Sequence, residues 1–334
     1  MTYFKVGLLA AAAAFAWQWP QFRGPNAGGV SEEKNVPVEF GPERNVQWKT
    51  AVPRGNSSPV IAGGRIFLTA HEGEKLFTIA LDRGSGRILW RREAPRPRVE
   101  VIERDANGPA SASPVTDGRN AFVFFADFGL LAYGPDGKLA TDEMVDPRAK
   151  ARFEEYLDLD DSGFLERRDW EQFRLRRAGE SALRAYRLGR QGDLTESGFL
   201  WKNARSLPNV PSPLYYRGVL YTLKEGGIFT SYDIKTGEIV KQGRLQGALG
   251  TYFASPIAVD GRIYTMSEDG KAAVIEAGAQ WEVLRVNDLK DGSKSTPAVA
   301  DGRLYVRTYE WMYSFGMPNQ ARSAMMVDVG ARPR

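Results

Sequence analysis

Apolar and polar positions along this chain alternate in short bursts, and the bursts recur. Ser58-Pro-Val-Ile-Ala-Gly-Gly-Arg-Ile-Phe-Leu-Thr69 reads as two short strands joined by a glycine turn. Residues 76–82 read as a third strand, Arg83-Gly-Ser-Gly86 as a turn, and residues 87–91 as a fourth. The opening phrase returns at Ser113-Pro, Ser212-Pro, Ser255-Pro and Thr296-Pro, each time with a glycine four or five residues after the proline. The prolines are Pro59, Pro114, Pro213, Pro256 and Pro297, spaced 55, 99, 43 and 41 apart. A period near 40 with four short strands per unit predicts an all-β fold, a β-propeller of four-stranded blades. One such unit buries only part of its sheet, so units must stack on neighbours and close into a ring.

The count is five or six blades, irregular in the middle. After residue 139 the second repeat shows no fourth strand. Residues 182–187 and 198–202 read as the third and fourth strands of a unit whose first two are missing. Either these half-units combine into one blade or the ring has a defect there. The last repeat, ending at Met312-Tyr-Ser-Phe315, has no outer strand of its own. Residues 46–50, with Trp48 placed as Trp90 is in the first repeat, supply it and close the ring. The resulting division is a signal peptide at 1–16, an N-terminal segment with the closing strand at 17–56, repeats at 57–139, a helical insertion at 140–180, repeats at 181–316, and a tail at 317–334.

The insertion carries the most explicit chemistry. Asp158-Leu-Asp-Asp-Ser-Gly-Phe-Leu-Glu-Arg-Arg-Asp169 has the spacing of an EF-hand calcium loop. Asp158, Asp160 and Ser162 stand at positions 1, 3 and 5, and Gly163 at the sharp turn. Phe164 offers a carbonyl at position 7, Glu166 stands at position 9 and Asp169 at position 12. Asp in place of the usual Glu at position 12, and the neutral Ser162, predict weak calcium binding, roughly 10⁻⁴–10⁻³ M. Asp146-Pro147 starts the entering helix. Trp170 and Phe173 lie three apart on the exiting one.

Composition narrows the setting. The chain has 334 residues, 43% hydrophobic and 26% charged, with a formal net charge of +4. That charge is small and its signs are interspersed, so nucleic acid is not an expected partner. A basic start, an Ala-rich apolar run over residues 6–15 and Ala14-Phe15-Ala16 predict a signal peptide and an exported, periplasmic or secreted, bacterial protein. No transmembrane span is expected after its removal, and a monomer is expected. There is no cysteine and one histidine, His71, which reads as a solvated turn residue. Missing cysteine excludes disulfides, thiol nucleophiles and haem attachment through cysteine. The Ser-Pro serines stand where each innermost strand begins, where their hydroxyls can tie neighbouring blades. The residues just before them, Asn56, Ser111, Tyr252 and Lys294, would ring the channel mouth, where a small anion could sit.

Ser-Pro-x-x-x-x-Gly-Arg together with Leu81-Asp-x-x-Ser-Gly-x-Ile-Leu-Trp90 resembles the pyrroloquinoline quinone (PQQ)-like, quinoprotein-type propeller repeat family. These repeats also build the outer-membrane assembly propeller. Trp19-Pro-Gln-Phe-Arg-Gly-Pro25 looks like a group of exported bacterial propellers, some with an EF-hand insertion. The resemblance implies the fold more than an activity. The quinone enzymes of the family use calcium, an acidic base, a stacking Trp and often a vicinal disulfide in the ring centre. Here there is no cysteine, and Trp90 and Trp201 lie on outer strands, so PQQ is not expected. The expected function is a protein- or ligand-binding module without catalysis. An outer-membrane assembly scaffold and a PQQ-dependent dehydrogenase are the alternatives.

Overall fold

A computed structural model describes residues 19–96, 99, 108–138, 181–189, 192 and 196–318. Among them the regular elements are strands and short 3₁₀ turns, with no α-helix. In chain order the strands are β1 (Val30–Ser31), β2 (Val46–Ala51), β3 (Val60–Ala62), β4 (Arg65–Glu72), β5 (Lys75–Asp82), β6 (Ile88–Ala94), β7 (Val115–Thr116), β8 (Ala121–Phe125) and β9 (Gly129–Tyr133). After these come β10 (Leu183–Tyr186), β11 (Phe199–Asn203), β12 (Leu214–Tyr216), β13 (Val219–Lys224), β14 (Ile228–Asp233), β15 (Ile239–Arg244) and β16 (Ile257–Val259). The chain ends with β17 (Arg262–Tyr264), β18 (Lys271–Glu276), β19 (Glu282–Asp288), β20 (Ala298–Ala300), β21 (Arg303–Arg307) and β22 (Trp311–Gly316).

They form six antiparallel meander sheets of a β-propeller. The first is β3-β4-β5-β6, the second β7-β8-β9, the third β10-β11 and the fourth β12-β13-β14-β15. The fifth is β16-β17-β18-β19 with β1 added on its inner edge, and the sixth is β20-β21-β22 with β2 outside. The half-units of the irregular middle therefore stay apart, as a three-stranded and a two-stranded sheet. In the sixth sheet the early strand β2 pairs antiparallel with β22, Lys49 opposite Tyr313. Joining the two ends of the chain in one sheet ties the array shut at that seam.

The middle strands of the first, fifth and sixth sheets are apolar on both faces because each of these sheets is packed between two others. β5, Lys-Leu-Phe-Thr-Ile-Ala-Leu-Asp, is buried at six consecutive positions. Outer strands alternate instead, as in β15. One cluster unites the first, fifth and sixth sheets with the N-terminal segment, through Ile61, Leu68, Val274, Tyr305 and Phe315. Smaller clusters join the first sheet to the second and the fourth to the fifth.

Three seams share one docking device. An outer-strand tryptophan lies on a left-handed glycine in the turn of the next sheet and donates its indole N–H to a carbonyl there. Trp48 meets Gly86 and bonds Arg83 O at 3.0 Å. Trp90 meets Gly137 and bonds Pro135 O at 3.2 Å. Trp201 meets Gly237 and bonds Ile234 O at 2.9 Å. All three rings are at most 8% exposed, which is the packing role read for Trp90 and Trp201.

Candidate functional site

The serines before the prolines form a relay across the sheets. Ser212 N donates to Ser255 Oγ at 3.0 Å, and Ser255 N to Thr296 Oγ1 at 2.9 Å. Thr296 N donates to Ser58 Oγ at 3.0 Å, and Ser58 N to Ser113 Oγ at 2.8 Å. Each hydroxyl takes an N–H from the adjoining sheet, so five sheets are stitched where their inner strands begin. The next residue, proline, brings no donor and holds its predecessor extended, which keeps the hydroxyl in place. These serines are structural.

The inner edges of the sheets are bridged by the N-terminal segment. Trp19 exchanges two backbone hydrogen bonds with Ile61 of β3, at 3.1 and 2.8 Å, and Pro20 O accepts from Thr116 N of β7. Arg23 Nη2 reaches Pro213 O at 2.8 Å, just before β12. β1 lies parallel to β16, with Val30 opposite Ala258. The Glu33 carboxylate accepts from the backbone N–H groups of Asp301 and Gly302, in the turn after β20. One stretch of chain thus binds the first, second, fourth, fifth and sixth sheets. This accounts for Trp-Pro-Gln-Phe-Arg-Gly-Pro: Trp19 is 1% exposed, and Gly24, at φ +68°, passes directly against its ring.

Around the mouth, the four residues read from the sequence separate into three environments. Tyr252 is buried, and its hydroxyl donates to Ala248 O at 2.5 Å. Burial, reinforced by the nearby Asp269 charge, pushes its pKa up, so it is a core residue. Lys294 Nζ lies 3.2 Å from Glu268 Oε1 and 4.3 Å above the Phe253 ring. Tyr309 also donates to Glu268 Oε1, at 3.2 Å; burial and that carboxylate push the phenol up to about 12. Lys294 is therefore neutralised within its own cluster.

Asn56 and Ser111 do come together, between the first and second sheets. Asn56 Nδ2 donates to Ser111 Oγ at 3.4 Å, and Ser111 Oγ both accepts from Gly108 N and donates to Gly108 O, each at 2.8 Å. His71 joins them. It is not a solvated turn residue: it sits in β4 opposite Leu76, half-buried, with its backbone N–H bonded to Arg54 O at 2.7 Å. The hairpin turn starts only after Glu72, so His71 lies two residues before it, in the strand. Burial lowers the imidazole pKa, and Arg307, Arg54 and Arg96 lower it further. Arg307 is wholly buried. It donates to Ser57 O, Ser57 Oγ, Thr69 O and Pro53 O, and burial brings its pKa down to about 9. Nothing in the sequence around Arg307 marks it; only its position in the sixth sheet, facing the first, reveals it.

The calcium-loop residues Asp158, Asp160, Ser162, Phe164, Glu166 and Asp169 lie outside the described residues, as do the signal segment and the C-terminal tail. Among the described residues no group of three or more His, Asp or Glu side chains is placed to hold a metal ion.

No curated protein matches the chain. Among solved structures, BamB from Moraxella catarrhalis is 13% identical, covering 86% of this chain and 84% of that one, with a TM-score of 0.30. The computationally designed Ika8 protein is 10% identical over 80% of this chain and 98% of its own, with a TM-score of 0.39. The glutaminyl cyclase of Myxococcus xanthus is 10% identical over 82% and 97%, with a TM-score of 0.30. The assignment rests on a family model instead. The model described as "Outer membrane protein assembly factor BamB" matches residues 43–165 and 193–323, well over half of the chain, and this protein belongs to that family of PQQ-like propellers.

Proposed function

We propose that this chain is an exported propeller whose task is to bind another polypeptide, in the manner of an assembly scaffold for outer-membrane proteins. The observation that carries the reading is the distribution of exposed apolar side chains. Val115 and Leu130 on the second sheet, Phe199 and Leu200 on β11, Val210, and Tyr215 on β12 are all 41–56% exposed and follow one another over the second to fourth sheets, whereas Leu249 and Leu284, each 45% exposed, stand outside that run. Grouped exposed apolar side chains of this kind mark interaction surfaces. The family description, which names outer-membrane protein assembly, supports the same reading. A quinone enzyme is disfavoured because inner-strand edges that would line a central cofactor cavity are bonded to residues 19–31.

Export rests on the N-terminal sixteen residues, and periplasmic location is part of the proposal. Among the described residues no helix is long and apolar enough to cross a membrane. The insertion at 158–169 is proposed as a weak calcium site that stabilises one edge of the ring. Photo-crosslinking side chains at Leu200 and Tyr215, with the exposed Ile88 and Leu284 on the outer strands of the first and fifth sheets as controls, test the binding surface in a periplasmic extract. Adducts to one discrete protein from the first pair alone are expected. Equal labelling at all four positions would refute the surface.

A further inference from the structure

The corner of the mouth between the first and second sheets brings two side-chain nitrogens to one point. A Cβ built on Gly108 would stand 3.9 Å from both Asn56 Nδ2 and His71 Nε2, with no other atom nearer than 4 Å apart from its chain neighbours. Among the described residues, two nitrogens, one from the segment before β3 and one from β4, thus flank one open point beside the Ser111–Gly108 turn.

Among the described residues, the charges that shift His71 are all positive. Arg307 is a buried cation whose partners are three carbonyls and a hydroxyl, with no carboxylate among them. Arg54, exposed, lies with its guanidinium 5.4 Å from the Tyr309 ring centre. Arg96 is paired with Asp127 at 2.5 Å, and the neighbouring Glu72 is engaged by Arg91. The charges that act on His71 are thus Arg307, Arg54 and Arg96, all positive. A buried cation answered only by neutral dipoles leaves a positive field, and an incoming anion gains from it.

We propose that this point, between Asn56 Nδ2 and His71 Nε2, is a subsite for a carboxylate group of a bound ligand. A carboxylate there would accept from the asparagine amide on one oxygen and from the imidazole on the other, in the field of Arg307 and Arg54. The carboxylate can come from a small organic acid or from an acidic side chain or free end of a bound polypeptide. The carboxylate subsite is independent of the crosslinking positions Leu200 and Tyr215, which lie on the third and fourth sheets.

His71 is the chain's single histidine, so its ring-proton NMR signals are unambiguous and report its pKa directly. In sodium chloride the pKa should lie below 6.5. In sodium acetate of equal ionic strength it should rise by roughly one unit, a tenfold preference of the carboxylate for the imidazolium. The Gly108→Asp variant carries its own carboxylate into the site: its His71 pKa should be raised in chloride alone and should no longer respond to acetate. Asn56→Ala, which removes one donor without filling the space, should need several-fold more acetate for the same shift. A peptide with a free C-terminus acting where its amidated twin does not would support a polypeptide source. Acetate acting while both peptides are silent would support a small acid. Equal shifts in chloride and acetate, or an unaltered acetate response in both variants, would overturn the proposal.

Discussion

Gly86→Ala isolates the docking device at the seam that closes the ring. Gly86 has φ +75°, where an L-residue costs about 1–2 kcal/mol. The new methyl would also stand 2.5 Å from Trp48 Cδ2 and 2.8 Å from Thr50 Oγ1. Carbon atoms need about 3.5 Å, so the indole must retreat by about 1 Å. It is held by burial and by its N–H bond to Arg83 O, so the retreat costs about 1–3 kcal/mol of overpacking. The total is about 3 kcal/mol, a large share of the 5–15 kcal/mol typical of a domain. The two parts separate in a double-mutant cycle. With Trp48→Ala in place there is no ring to displace, and Gly86→Ala should cost only its backbone share, about 1–2 kcal/mol. Urea unfolding of all four proteins, in the same stabilising osmolyte, gives a coupling energy expected near 1.5 kcal/mol. Coupling below about 0.5 kcal/mol would refute tryptophan docking as the reason for the glycine.

Arg307→Lys keeps the charge, but one ammonium cannot serve the four acceptors around the guanidinium. A loss on the order of 2–3 kcal/mol is expected, and an unchanged urea midpoint would show the buried fork to be dispensable. Stability should fall above pH 10: burial raises Tyr221 and Tyr309 to about 12 and pushes Tyr252 and Tyr264 up too. The folded state then holds protons that the unfolded state has lost. This stabilisation is full below pH 10 and disappears as pH rises through the folded pKa values, by up to about 1.4 kcal/mol per pH unit for each tyrosine. Arg307, lowered to about 9, and Arg23, also lowered by burial, act in the opposite sense, but the raised tyrosines outnumber them. Thermal melts from pH 9 to 12 check the sign, and a flat or rising melting temperature would contradict it. Calcium should raise the melting temperature only in the millimolar range, and Asp158→Ala should abolish the rise; no rise in the parent protein would remove the metal from the proposed function.

The repeat was legible because two physical constraints leave marks at fixed intervals. Ser-Pro opens each inner strand since a hydroxyl must bridge to the adjacent sheet and the next residue needs no donor. Leu-Asp-x-x-Ser-Gly marks the docking turn. Asp82 Oδ1 takes the Ser85 N–H at 2.8 Å, Asp233 Oδ1 takes the Thr236 N–H at 3.0 Å, and the glycine that follows leaves room for the indole. Tyr252 is buried in the core because position relative to Ser-Pro fixes the backbone, not the direction of a long side chain. His71 and Arg307 left no local mark. Their roles come from contacts 37 and 250 residues away in the chain, at Gly108 and Ser57, which only folding brings together.

The hydroxyl relay runs from Ser212 through Ser255, Thr296 and Ser58 to Ser113, so both of its ends face the irregular middle of the repeat. The third sheet is attached to the fourth through Trp201 on its outer strand, while the exposed Tyr215 lies on the inner strand of the fourth. Neighbouring sheets elsewhere bury such side chains against each other, as Leu214, on the opposite face of β12, is buried with the fifth sheet's Ala258 and Ile263. A propeller whose seams were all alike would present a uniform polar rim. Here the regular seams supply the rigidity, and the departure from regularity leaves apolar surface available to a partner. The same loss of period that made the middle of the sequence hard to read thus locates the surface on which the proposed function depends.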